Sequence, residues 1–338
     1  MNKIGITTTV PVEVLLAAGY QAVDLNNLFI TSDKYDQYIE QAERDGFPKN
    51  SCAWIKGIYG ACLKHNIKEV ISVLEGDCSN THALAEVLKA RGITTYPLAY
   101  PYSHKLDDVK EAINHFMDLF GVTRKEVEEV RDKLNNIRSL AKEIDRLTWK
   151  DSKATGFENH LYQINCSDFT GDVDSFAEEL KAKINEIEKR ESIDKKVRLG
   201  YIGVPPMMDD LYEFVTKFNA YIVYNEVQRE FAFPRAKQAD NIYQQYYDYT
   251  YPYDLDFRLE KIKEQIEVRN LDGLIHYTQS FCYRELEDVV IKEELEIPIL
   301  NIRGDKSRQL DSRMKLRLEA FLDMLGDLKE GRNEGFRN

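Results

Sequence analysis

Three cysteines hold equivalent addresses in this sequence. Cys52 lies in Ser51-Cys52-Ala53-Trp54-Ile55-Lys56-Gly57, Cys78 in Glu75-Gly76-Asp77-Cys78-Ser79-Asn80-Thr81-His82, and Cys282 closes His276-Tyr277-Thr278-Gln279-Ser280-Phe281-Cys282. Each falls where a strand-like run hands over to a helical pattern, or at a helix start. Ligands and reactive groups in open α/β sheets gather at the carboxyl ends of the strands. The free N–H groups of a helix start favour negative charge, so each thiol is expected to be a thiolate. A single cysteine is most often a small buried hydrophobe; three at one kind of address point to a shared task. Three thiolates suit an iron–sulfur cluster with one iron left open, or a zinc site with one open position. The spacing matches neither a zinc ribbon nor a ferredoxin run, and composition does not choose between the metals.

The other candidates are ranked behind these. Cys62 shares a helical pattern with Cys52, behind the N-cap-like pair Asn50-Ser51. Along a continuous helix the two thiols stand about 15 Å apart, so Cys62 joins a shared centre only if the helix breaks at Gly57 or Gly60. Cys166 lies in a segment of mixed pattern and reads as packing. Ser79, His82 and His276 flank the thiols and are the candidates for a catalytic role beside them. Gly203-Val204-Pro205-Pro206 follows a strand end and is expected to border the same cleft. The tyrosines Tyr243, Tyr246, Tyr247, Tyr249, Tyr251 and Tyr253 are candidates to line a pocket or a subunit interface, with interface or core packing the preferred reading. There is no Walker motif and no G-x-G-x-x-G pattern.

The positioning elements follow from the apolar pattern. Strand-like runs at 4–8, 22–25, 69–74 and 93–98 alternate with helical segments at 11–19, 52–64 and 81–90. Residues 106–147 read as a charged helical hairpin, and a further helix spans about 173–189. Strands are expected again at 197–204, 220–224, 273–276 and 297–302. The last two are followed by helices at 285–294 and 309–325, with Gly326 as the final stop. This is βαβ grammar, stated twice. It predicts two Rossmann-like, flavodoxin-like parallel-sheet domains with an inserted helical segment, divided as residues 1–195 and 196–338.

Bulk properties exclude several classes. The chain has 338 residues, 43% apolar and 31% charged, with a formal net charge of −12. An acidic chain is a poor match for nucleic acid or for anionic membranes. Five cysteines, an odd count, do not make a disulfide framework. With no signal-like or membrane-spanning run in the sequence, a reducing cytoplasm is the expected compartment.

In this order the pieces resemble the 2-hydroxyacyl-CoA dehydratase family, with its benzoyl-CoA-reductase and double-cubane-cluster relatives. The resemblance begins at Val10-Pro11-Val12-Glu13-Val14-Leu15-Leu16-Ala17-Ala18-Gly19 and continues through the Cys52 and Cys78 segments. It runs on through Asp272-Gly273-Leu274-Ile275-His276 to Cys282, then Ile297-Pro298-Ile299-Leu300 and Arg317-Leu318-Glu319-Ala320-Phe321-Leu322. It implies a [4Fe–4S] cluster on Cys52, Cys78 and Cys282, with a double-cubane cluster as the variant form. It implies a pair of such subunits, a homodimer or a chain with a paralogue. It also implies an ATP-hydrolysing iron–sulfur activator as electron donor. The activity implied is dehydration of a 2-hydroxyacyl-CoA, with ATP-dependent reduction of small molecules as the alternative. A non-catalytic α/β binding or electron-transfer subunit is the reading from another class. The chain departs from the family at Tyr249-Thr250-Tyr251-Pro252-Tyr253, where dehydratases often carry a further cysteine.

Overall fold

A computed structural model describes residues 2–335. It contains two four-stranded sheets, each entirely parallel. The first holds β1 (Asn2–Ile6), β2 (Tyr20–Asp24), β3 (Glu69–Glu75) and β4 (Thr94–Ala99) in the order β2-β1-β3-β4. The second holds β5 (Val197–Gly203), β6 (Ala220–Asn225), β7 (Gly273–Gln279) and β8 (Ile299–Gly304) in the order β6-β5-β7-β8. The two orders are the same, so each sheet reverses direction of winding at its middle pair. Above β1 and β3, and above β5 and β7, the connections leave on opposite faces and open a crevice.

The central strands are apolar on both faces because helices cover both sides. All seven residues of β7 are buried. The sequence placed its end at His276, but the strand continues three residues further. Tyr277, Thr278 and Gln279 pair with Ile302, Arg303 and Gly304 of β8. Polar Thr278 and Gln279 mask the strand in a hydropathy pattern, yet both are buried here.

The charged hairpin forms as expected, from the helices Leu106–Phe120 and Arg124–Trp149. Gly121 closes the first in the left-handed conformation, and Thr123 with Glu126 makes a reciprocal capping box on the second. The second helix joins the two halves of the molecule. Its Arg138 donates to buried Glu13 at 2.6 Å, and Gln245 and Tyr246 from the later half donate to the same carboxylate. Its Asp145 accepts both guanidinium nitrogens of Arg269 at 2.8 and 2.6 Å. Tyr243, Tyr246 and Tyr249 are buried in the core cluster that contains Val12, Leu134 and Ile137, as the packing reading required, whereas Tyr251 lines a cavity.

Two local expectations are corrected. The final helix runs Ser312–Gly335 and passes through Gly326. The position costs only a modest propensity penalty in a helix interior, and Lys329, one turn on, anchors the continuation by donating to Asp272 at 2.6 Å. The N-cap of the helix Ala53–Lys64 is Cys52 itself, not Asn50 or Ser51; the Ser51 hydroxyl is engaged with the Pro48 carbonyl. That helix is unbroken at Gly57 and Gly60. The glycines serve close packing instead: a Cβ on Gly60 would lie 2.3 Å from the Tyr38 carbonyl oxygen of the helix Tyr35–Arg44.

Candidate functional site

The crevices of the two sheets meet in one cavity of about 120 Å³. Its wall is built from the connections that follow the strands. Thr7, Thr8 and Thr9 follow β1, Asp24, Asn26 and Asn27 end and follow β2, and Asp77 and Cys78 follow β3. From the second sheet, Val204, Pro205 and Pro206 follow β5, and Phe281 to Arg284 follow β7. Cys52 enters from the start of its helix, and Ile30, Ile55, Ile58, Ile164 and Phe231 make the remaining surface largely apolar.

Cys52, Cys78 and Cys282 all line this cavity. They are close enough that the charge of Cys282 bears on Cys52, and that of both on Cys78. The expected thiolate character is corrected. Burial pushes all three thiols up, Cys78 to about 12, where the Asp77 carboxylate adds to the effect. Backbone N–H groups of Trp54 and Ile55 oppose the rise at Cys52 but do not overcome it. Desolvation therefore beats the helix start in the protein alone. Among the described residues no three His, Cys, Asp or Glu side chains are set closely enough to hold a single metal ion. The three thiols surround a space, not a point.

The remaining candidates lie elsewhere. The Cys62 thiol is buried in the core beneath the helix and donates to the Ile67 carbonyl at 3.8 Å. Cys166 is buried and donates to the Tyr162 carbonyl at 3.4 Å. Ser79 and His82 are exposed and do not line the cavity. His276 is fully buried below it, with Nδ1 2.9 Å from Asp288 and Nε2 without a partner.

The sequence reading missed the polar half of the wall. Asn26 accepts the indole N–H of Trp54 at 2.6 Å and donates to the Thr7 carbonyl and to Asp24. Behind it, Asp168 accepts the Asp24 backbone N–H at 2.8 Å. Burial raises both carboxyls, and the nearby charge of Asp24 helps bring Asp168 to about 7. Arg284 is buried, donates to the Tyr251 carbonyl at 3.0 Å and stacks its guanidinium 4.5 Å from the Tyr251 ring. His160 enters from the helix Gly156–Ile164. Only the Thr155–Glu158 capping box announced that helix, and nothing local to it announced the cavity.

Two parallel Rossmann-like sheets meeting over three cysteines define a class: a two-domain α/β protein with a thiol-lined interdomain site. The family described as 2-hydroxyglutaryl-CoA dehydratase, D-component, matches residues 7–325, and the chain belongs to that family. Among curated proteins, none matches the chain. Membership makes it a component of dehydratase type. No helix among the described residues is long and apolar enough to cross a membrane.

Proposed function

We propose that this chain is the iron–sulfur subunit of a 2-hydroxyacyl-CoA dehydratase-type enzyme, charged by single electrons from a separate ATP-hydrolysing, cluster-bearing activator. The observation that carries the reading is the convergence of Cys52, Cys78 and Cys282, from three distant connections, on one cavity. The donor set fits a [4Fe–4S] group: three soft ligands around a space, with no tight trio for a single ion. Bound there, such a group supplies one-electron chemistry and an iron with an open position. Cys62 and Cys166 both donate to backbone carbonyls inside cores, so the reading is of one cluster, not a double cubane.

The chain's own residues do the rest. Ile30, Ile55, Ile58 and Phe231 give the cavity an apolar lining, as low-potential chemistry requires. Asn26 and Trp54 hold each other and so fix the wall facing Cys52. Arg284, restrained by Tyr251 and Glu287, places a fixed positive charge beside Cys282. A second copy or a paralogous subunit completes the enzyme, and the compartment is the cytoplasm. The test is anaerobic turnover of a 2-hydroxyacyl-CoA with activator, ATP and a strong reductant. The reading expects product only with all present. Turnover with ATP and activator omitted, under a mild reductant, contradicts it.

A further inference from the structure

His160 reaches the cavity from the helix Gly156–Ile164, which carries none of the three cavity cysteines. It and Ile164, one turn apart on the helix Gly156–Ile164, both face the cavity. Its ring is gripped on several sides. Phe157 stacks at 5.9 Å between centroids, and Tyr212 leans on it at 5.3 Å. The amide Nε2 of Gln228 lies 3.0 Å from His160 Nδ1. Gln228 is itself fully buried, on the helix Glu226–Phe231.

With the Gln228 amide N–H turned toward it, Nδ1 is the acceptor and the ring proton resides on Nε2; this orientation leaves the Gln228 Oε1 buried without a partner. The Gln228 contact is the one hydrogen bond of the His160 ring among the described residues, and the half-buried ring lies at the cavity wall. Burial also pulls the imidazole down to about 4, so the ring stays neutral near neutrality. A neutral N–H in a cavity also lined by Ile164, Pro205 and Phe231 has one unmet requirement, an oxygen acceptor. A neutral donor suits a carbonyl; a carboxylate would be better served by a cation.

We propose that His160 donates its Nε2 proton in a hydrogen bond to the carbonyl oxygen of a small acyl compound in the cavity, and that Gln228 is the positioning residue that fixes this tautomer. The inference rests on the substrate class proposed above and names the residue that recognises it. No bond is made or broken in this role.

The probe is S-(2-hydroxybutanoyl)-N-acetylcysteamine, a truncated thioester, added anaerobically to the full chain as isolated. Histidine ¹⁵N spectra, with His160→Gln used for assignment, should show the Nε2–H form with no titration above about pH 5. Thioester should move that signal. His160→Phe should weaken thioester binding by about tenfold, the value of one hydrogen bond. His160→Gln, which keeps an N–H donor, should weaken it by less than about threefold. Gln228→Leu should mix the tautomers and weaken binding with the ring still present. An Nδ1–H form, or wild-type affinity in His160→Phe, overturns the proposal. So does a wild-type His160 signal that ignores the thioester, an outcome that leaves the cluster reading to iron analysis. Iron-free protein whose His160 still responds sinks the cluster reading and supports this one.

Discussion

Replacing Arg258 by methionine should destabilise the protein strongly and loosen the cavity wall. Arg258 is 2% exposed and its partner Glu226 is 3% exposed. Two guanidinium nitrogens donate to the Glu226 carboxylate, and a third donates to Glu287 at 2.6 Å. Glu226 also accepts the Gly203 N–H at 2.9 Å. Gly203 ends β5 with φ +94, and a Cβ there would lie 2.1 Å from the Tyr277 carbonyl oxygen. The ion pair therefore holds the turn that presents Val204 to Pro206 to the cavity. Arg258→Met leaves a buried carboxylate with one N–H, a loss of about 3–5 kcal/mol, against a typical total of about 5–15 kcal/mol. Burial pushes the Glu226 carboxyl up, but Arg258 outweighs it and holds the group below its ordinary value. In the wild type this contribution is present above the ordinary carboxyl range and fades as pH falls. In Arg258→Met the carboxyl rises instead, so the deficit grows with pH. Urea unfolding followed by tryptophan fluorescence at about pH 5.5 and about pH 8 reads both effects. Glu226→Gln with Arg258→Met should recover more than half of the loss. A deficit under about 1 kcal/mol at both pH values would refute the reasoning.

Three further outcomes are expected. Asp168 rises from 3.8 to about 7, so the folded state binds more protons than the unfolded state in that window and stability falls as pH rises through it. Asp168→Asn removes that pH dependence but keeps one acceptor for the two backbone N–H groups that Asp168 accepts, so it should cost about 1–2 kcal/mol below about pH 4 and less above neutrality, read from Tm against pH; an equal loss at every pH contradicts this. Gly60→Ala should cost about 1–3 kcal/mol by driving apart two packed helices, whereas Gly326→Ala, with open space at its Cβ, should gain up to about 1 kcal/mol; equal effects in thermal melts would defeat the packing argument. Anaerobic light scattering should give the mass of a dimer, and a strictly monomeric mass counts against the proposed assembly.

The strands were legible wherever local pattern and environment agree. Val70 to Val73 is an apolar run because β3 is buried on both faces. The three thiols were legible as a set because strand ends with Gly-Asp or helix-start signals are local features. What escaped depends on contacts distant in sequence. Glu13 reads as a first-turn helix acid, yet it is buried against Arg138, 125 residues away. His160 reads as one polar residue in a short helix; only Gln228, 68 residues on, and the packing around both give it a role. The acidity of the cysteines was misjudged for a related reason. A helix start is visible in sequence, but the burial that outweighs it at Cys78 is not.

The central claim is that Cys52, Cys78 and Cys282 together hold one iron–sulfur cluster. Anaerobic isolation with iron and sulfide analysis tests it most directly, on the wild type and on single cysteine-to-serine variants. The wild type should carry about four irons and four sulfides per chain. Cys52→Ser, Cys78→Ser and Cys282→Ser should each lose most of the iron, while Cys62→Ser and Cys166→Ser keep it. Colourless, iron-free wild-type protein, or full iron retention in Cys282→Ser, would contradict the claim.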